Sequence, residues 1–354
     1  MVPIFDGHND VLLRLARKSE PDGGLSSFIN GDGIGHLDLP RARAGGFAGG
    51  LFAVFVPSNE PEGALEELMR APQYDAPLPV PTELTYAQAY ALNLIALLMR
   101  IARESNGAVR VCREAIELRQ AIKDGALATV LHTEGAEPID AEFKMLEVLH
   151  AGGLRSLGIV WSRPNLFGHG VPFRFPSLPD TGPGLTDAGR ELVKACNELG
   201  ILIDLSHITE AGFWDVASLS KAPLVASHSN AHALCHHSRN LTDKQLAAIR
   251  DSGGLVGINF ATCFLREDGR INADTPMETI VRHADYLIDK LGIEGVGLGS
   301  DFDGAVIPKE LEDAQGLPKL IAAFRSAGYD DATLKLLCAE NWLRMLERTW
   351  AGKV

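Results

Sequence analysis

The chain has 354 residues and a hydrophobic content of 46%, enough to bury a large core in one α/β barrel or in two medium domains. Its formal net charge of −13 sets up a field that repels phosphate backbones and anionic lipid surfaces, which argues against nucleic acid as a partner. No apolar run reaches the roughly 18 residues of a membrane span, and the opening "VPIFDGHND" carries no signal-peptide pattern, so a protein neither secreted nor bound to a membrane is expected.

Short apolar runs recur along the chain, each followed by turn residues and then by a segment of helical period. In order they are "VPIFDGHND", "GGLFAVFV", "LATVLHTEG", "RSLGIVWS", "ILIDLSH", "PLVASHS", "GGLVGINF" and "GVGLGSDFDG", eight strand candidates in all. Between them lie helical patterns such as "LTYAQAYALNLIALLMRIARES", "AEFKMLEVLHAGG", "TDAGRELVKACNELG", "TEAGFWDVASLS", "TDKQLAAIRDSGG" and "METIVRHADYLIDKLG". Several start at Thr or Asp and stop at Gly, supplying an N-cap and a left-handed stop. Strand and helix in alternation predict parallel pairing, and eight units predict closure into a (β/α)8 TIM barrel, an α/β fold. An open doubly wound sheet is the competing architecture, but no phosphate-cradling glycine loop follows the first strand.

Two segments break the rhythm. Residues 57–83 and 163–185 are rich in Pro and Gly and too long for simple connectors. Each follows a predicted strand, so each is expected over the active-site face. The remainder from about residue 305 supplies a closing helix and a C-terminal helix around "DDATLKLLCAENWLRMLERTW", and 1–354 reads as a single barrel domain. The five cysteines, Cys112, Cys196, Cys235, Cys263 and Cys338, are odd in number, scattered, and nowhere spaced as CxxC, which fits a reducing cytoplasm.

In such a barrel, groups at the C-terminal strand ends converge on one mouth. Those ends carry His8, Asp10, Glu134, His207, His228 and Asp301. Nitrogen and carboxylate ligands without thiolate suit Zn²⁺, and alternate strand residues share a face, so His8 and Asp10 are expected to point inward together while Asn9 points away. One ion does not need so many ligands. Two ions about 3.5–4 Å apart leave His8 and Asp10 for one, His207 and His228 for the other, and Glu134 as the bridge. Each acid also has a simpler reading as a helix cap. That reading fails for the set, because several buried carboxylates without paired bases need a cation. His132 shares the face of Glu134 and is assigned to structure or outer support; His232, His236 and His237 are assigned to surface or outer positions, and His36, His150 and His283 have no special claim.

"FDGHND", "HTEGAEPI", "LIDLSH", "ASHSNAHAL", "SRNLTD" and "GLGSDFDG", in this order over nearly the whole chain, resemble the membrane (renal) dipeptidase family, zinc peptidases of the amidohydrolase-type barrel. The resemblance implies the same five ligands, His8, Asp10, Glu134, His207 and His228, around two zinc ions per subunit. It places the substrate-binding arginine at Arg239 and the catalytic aspartate at Asp301. It implies dipeptide hydrolysis by a hydroxide bridging the zinc ions, with the chirality of the C-terminal residue left open, and a homodimer. The family's oxyanion-binding histidine after strand four falls on Trp161, whose indole N–H donates one hydrogen bond but cannot become cationic. Trp161, Arg163 and the loop residue His169 are the candidates to replace it. A substrate-holding aromatic hydroxyl of the mammalian enzyme falls on Phe264. The rival readings are a related amide hydrolase for N-acyl amino acids, lactams or a specialised natural-product precursor, and a catalytically silent relative.

Overall fold

The computed structural model describes residues 2–18, 23–58 and 63–351. Positions 59–62 of the first long loop and 352–354 of the chain's end lie outside the described residues. Eleven strands occur in the order β1 (Ile4–Asn9), β2 (Phe47–Phe55), β3 (Tyr74–Asp75), β4 (Val109–Val111), β5 (Leu127–Glu134), β6 (Leu154–Gly158), β7 (Arg174–Phe175), β8 (Leu202–Asp204), β9 (Val225–Ala226), β10 (Leu255–Ile258) and β11 (Val296–Leu298). Eight of them close a parallel ring in the order β1, β2, β5, β6, β8, β9, β10, β11 and back to β1, and these are the eight read from the sequence. The closed barrel follows from the alternation, since each crossover helix buries an apolar stripe against the outside of the sheet. On the helix Glu278–Leu291 that stripe is Ile280, Val281, Ala284, Leu287 and Leu291. The Thr starts act as caps: Thr186, Thr209 and Thr242 accept from the backbone N–H of Gly189, Gly212 and Gln245.

The three strands outside the ring are short. β4 lies beside the start of β5, while β3 and β7, one from each long loop, pair with each other in antiparallel fashion through Tyr74↔Phe175 and Asp75↔Arg174. The long loops are thus tied together, and Met69, Tyr74, Phe173 and Phe175 join Ala261, Cys263, Phe264 and Ile271 in a small apolar cluster of their own. Among the described residues, one helix, Leu84–Glu104, is long and apolar enough by composition to cross a membrane, with a mean hydropathy of 1.2 and a third of that window buried.

A second apolar cluster sits at the N-terminal ends of the barrel strands, where Phe5, Leu51, Val130, Leu202, Val225 and Leu255 meet Trp342, Leu343, Met345 and Leu346 of the C-terminal helix Asn341–Ala351. Trp342 is fully buried and its indole N–H donates to the Leu298 carbonyl at 2.8 Å. Glycine is required around it: a Cβ on Gly7 or Gly297 would lie 2.4 or 2.6 Å from the indole ring. The barrel is therefore plugged at the end opposite the mouth. Replacing Trp342→Ala is expected to lower stability by about 3–5 kcal/mol, read from urea unfolding, because the strands cannot collapse into the space left behind.

His283 is a structural histidine on the helix Glu278–Leu291. Its Nδ1 accepts from the Ala231 N–H at 3.3 Å and its Nε2 donates to the Leu265 carbonyl at 2.9 Å. Burial pushes its pKa down to about 4 from 6.5. The unfolded chain then binds a proton that the folded one refuses between those values, so this contribution to stability is full above pH 6.5 and is lost as pH falls toward 4. The effect is about 3 kcal/mol across that window. Stability measured from pH 6.5 to 4.5 is expected to fall less steeply in His283→Gln than in the unsubstituted protein.

Candidate metal centre

Each predicted strand end delivers its side chain to the mouth, by differing local means. β1 shows a register irregularity between Asp6 and Asn9 and ends at Asn9, so Asp10 stands just beyond the strand at the start of the helix Val11–Ala16. His8 and Asp10 nonetheless face each other while Asn9 turns away to the Leu51 carbonyl at 3.1 Å, the arrangement that alternation along the strand predicts. Asp10 makes no side-chain cap hydrogen bond, which leaves its carboxylate to the site. His207 and Asp301 lie in the loops after β8 and β11 with φ of 68° and 60°, a left-handed backbone that side chains other than glycine adopt only where the surroundings enforce it.

The six groups are buried and clustered, each within 4.8 Å of at least one other. His8 Nε2 lies 3.3 Å from Asp10 Oδ2 and 3.6 Å from Glu134 Oε2. The other oxygen of Glu134, Oε1, lies 3.0 Å from His207 Nε2 and 3.7 Å from His228 Nε2, and those two nitrogens are 3.0 Å apart. Asp301 joins His8 and Asp10, with ligand atoms within 4.8 Å of one another, and its Oδ2 accepts from Asn259 Nδ2 at 2.9 Å.

The electrostatics of this cluster fit a cation. Burial holds His207 and His228 well below the usual imidazole range, so both are neutral and offer lone pairs. Burial raises Glu134 to about 7 and also raises Asp301, the cost of placing carboxylates out of water. Burial also opposes charge on His8, yet Glu134 and Asp10 together lift it well above 6.5. Asp10 Oδ1 is buried with no hydrogen-bond partner. Neutral imidazole nitrogens facing shared carboxylate oxygens, with an orphaned acceptor beside them and no thiolate, form a donor set suited to zinc or a similar metal.

Above this floor opens a cavity of about 710 Å³ lined by Asp10, Glu134, His207 and Asp301 below, by Trp161, Phe173 and Phe264 on one wall, and by Arg14 and His36 at the rim. A family model for membrane dipeptidases, peptidase family M19, matches residues 1–352. The chain belongs to the membrane dipeptidase family. A metallopeptidase of Rhodobacter sphaeroides, solved with a phosphinate mimic of the dipeptide L-Ala-D-Ala, is similar to it at 55% identity and a TM-score of 0.97 over 99% of each chain. A crystal structure of dipeptidase AC, a metallopeptidase of the same family, is also 55% identical, with a TM-score of 0.96 over 99% of each chain. An uncharacterized protein encoded in the pqqA 5′ region of Klebsiella pneumoniae is 52% identical over 256 residues, 72% of this chain and 94% of that protein. As a family M19 metallopeptidase, the chain is a metal-dependent hydrolase of peptide bonds.

This dipeptidase relative places the remaining expected residues unevenly. Arg239 is buried beneath the cavity wall: its Nη2 donates to the His228 carbonyl at 3.1 Å, its Nη1 to Ser229 Oγ at 3.4 Å, and its Nε has no protein partner. Trp161 lines the cavity, its ring 5.9 Å from that of His207. Arg163 is turned away, paired with Glu137 at 2.9 Å and bonded to Ser58 and Val56. His169 also stays outside the cavity, its Nδ1 3.2 Å from the Gly184 carbonyl. Trp161 is thus the one of these three that the fold brings to the cavity.

His237 is fully buried rather than at the surface, packed on Phe264 and accepting the backbone N–H of Arg239 at 3.0 Å. Nothing in the run "HALCHHSRN" announces this, since it is set by Tyr74, Phe173 and Phe264, which pack against the His237 ring from other loops. Asn259, at the end of the seventh barrel strand, escapes a search for ionisable ligands because it only holds one. His36 and Asp303 exchange backbone and side-chain hydrogen bonds at the rim. Changing Glu134→Gln removes the carboxylate that faces both imidazole sets. Metal retained after gel filtration, read by atomic absorption, is expected to fall by half or more.

Proposed function

We propose that the chain is a binuclear zinc dipeptidase that cleaves free dipeptides and accepts a D-residue at the C-terminal position. The observation that carries this reading is the division of Glu134: Oε1 faces His207 and His228, and Oε2 faces His8, which is backed by Asp10. A carboxylate shared in this way suits two cations better than one. The likeness to a peptidase bound to an L-Ala-D-Ala mimic supports both the substrate class and the chirality.

When bound, two zinc ions lower the pKa of a water and polarise a scissile carbonyl. The side chains do the rest. Arg239, with its Nη atoms already fixed and its Nε unpaired, is suited to hold the substrate carboxylate. Asp301, oriented by Asn259, takes a proton from the attacking water and returns it to the departing amine. Trp161 offers its indole N–H to the carbonyl oxygen, and the Trp161, Phe173 and Phe264 wall keeps water from the reacting bond. A single barrel domain, a homodimeric assembly and cytoplasmic residence belong to the same proposal. The five cysteines, all buried and unpaired, suit a reducing compartment.

The test is amino-acid release from a panel of dipeptides of both chiralities, with N-acetylated copies as controls. Free-amine dipeptides are expected to be cleaved and the acetylated copies left intact. Cleavage of the acetylated copies alone would favour an amide hydrolase of another specificity, and no cleavage with zinc bound would favour a silent relative. Arg239→Met is expected to lower kcat/KM about 10- to 100-fold, the loss of a charged hydrogen bond, with most of the change in KM.

A further inference from the structure

The imidazoles of the proposed two-metal centre are not supported alike. His228 Nδ1 lies 2.7 Å from Ser227 Oγ, and Ser227 Oγ lies 2.6 Å from Asp204 Oδ2. Asp204 is the last residue of β8 and Ser227 follows β9 directly, so the contact joins two neighbouring strand ends. The other oxygen, Asp204 Oδ1, accepts the backbone N–H of Ser206 at 3.0 Å and of Ser227 at 2.7 Å. His207 Nδ1 meets the Ser162 hydroxyl at 2.9 Å, and His8 Nδ1 is buried with no partner.

A serine hydroxyl has one proton to give, and a carboxylate oxygen only accepts. At 2.6 Å from Asp204, the Ser227 proton goes to the carboxylate. Ser227 Oγ must then accept from His228, which puts the imidazole proton on Nδ1. The lone pair on Nε2 is left facing Glu134 Oε1 and His207 Nε2. The ring is also held flat against His8, with centroids 3.9 Å apart. The Ser206 hydroxyl, 3.5 Å from Ser227 Oγ, accepts the His228 backbone N–H and so leaves the arrangement unchanged. His132 Nε2 lies 3.8 Å from the same Asp204 oxygen.

We propose that Asp204 and Ser227 form a positioning relay that fixes the tautomer and orientation of His228, making its metal position the more firmly built of the two. This rests on the two-metal reading given above. Carboxylates that orient a metal-binding histidine act in this way, and their loss costs about 10- to 100-fold in metal affinity.

The test starts from the zinc-loaded protein and measures the affinity of each equivalent by competition with a chromophoric chelator. It compares the unsubstituted chain, Ser227→Ala and Asp204→Asn, and records the unfolding midpoint of each without metal. In Asp204→Asn the two backbone N–H groups hold the amide oxygen at the Oδ1 place. The amide nitrogen then donates to Ser227, the Ser227 proton turns onto His228 Nδ1, and Nε2 carries a proton into the site.

One zinc equivalent is therefore expected to weaken about 10-fold in Ser227→Ala and about 100-fold or more in Asp204→Asn, while the other equivalent and the metal-free midpoints change little. Two equal equivalents in Asp204→Asn, or losses in both that track the metal-free midpoint, would overturn the relay. An unsubstituted protein that retains fewer than two equivalents would overturn the two-metal reading instead.

Discussion

Glu134 is a carboxylate taken out of water at the point where side chains from three strand ends face it. Burial pushes its pKa toward 7, and the guanidinium of Arg239 is already engaged by the His228 carbonyl and Ser229. In a low-dielectric pocket an unbalanced carboxylate is expensive, and Asp10 and Asp301 add to the same imbalance. A metal cation bound among them would relieve it. Much of the local backbone serves that arrangement: the turn after β1 that sets Asp10 beside His8, and the left-handed residues His207 and Asp301 that aim their side chains inward. Such backbone costs of order 1–3 kcal/mol at each position and persists only where its surroundings are rigid.

That rigidity comes from below. The ring of strands is filled at its N-terminal end by Phe5, Leu51, Val130, Leu202, Val225 and Leu255, and Trp342 is driven in against Gly7, Gly257 and Gly297. The helix bearing Trp342 follows a π-turn at Leu336–Glu340, a local widening that changes which face the next residues present. The seams between strands near the site are fastened by side chains as well as by ladders. Ser300 donates its N–H and its hydroxyl to Asp6, tying β1 to the loop that carries Asp301, and Asp204 ties β8 to β9.

The eight barrel strands were legible because each is a short apolar run closed by turn residues, and the candidate ligands stand out because they sit at those closures. β3, β4 and β7 were not, since two or three residues carry no period and their pairing depends on loops meeting in space. His8 and Asp10 meet as the six-residue motif "FDGHND" suggests, but the register shift between Asp6 and Asn9, and the end of the strand before Asp10, leave no trace in it. Asp204 was visible within "LIDLSH" only as part of a resemblance. Its function depends on Ser227, twenty-three positions away, and only the closed barrel brings the two together. Arg163 stood among the candidates to replace the oxyanion-binding histidine, but it is taken up by Glu137 from another loop.

That buried pair bears on the residue that departs most from the family pattern. Arg163 lies 5.8 Å from the Trp161 ring and 5.9 Å from that of Phe55, and Phe55 packs against Trp161 at 5.0 Å. A buried ion pair adds little net stability because both groups lose their water, so its value here lies in geometry. It fixes the back of the indole while Phe173 fixes the front. Trp161 is therefore held rigidly, which is what its proposed hydrogen bond to a developing charge requires. An indole N–H donates without carrying a charge, and the Phe264 ring offers no hydrogen bond at all. In the proposed reading, polar recognition falls on Asp301 at the cavity floor and on Arg239 buried behind it, while the Trp161, Phe173 and Phe264 wall discriminates by shape and apolar area rather than by hydrogen bonds.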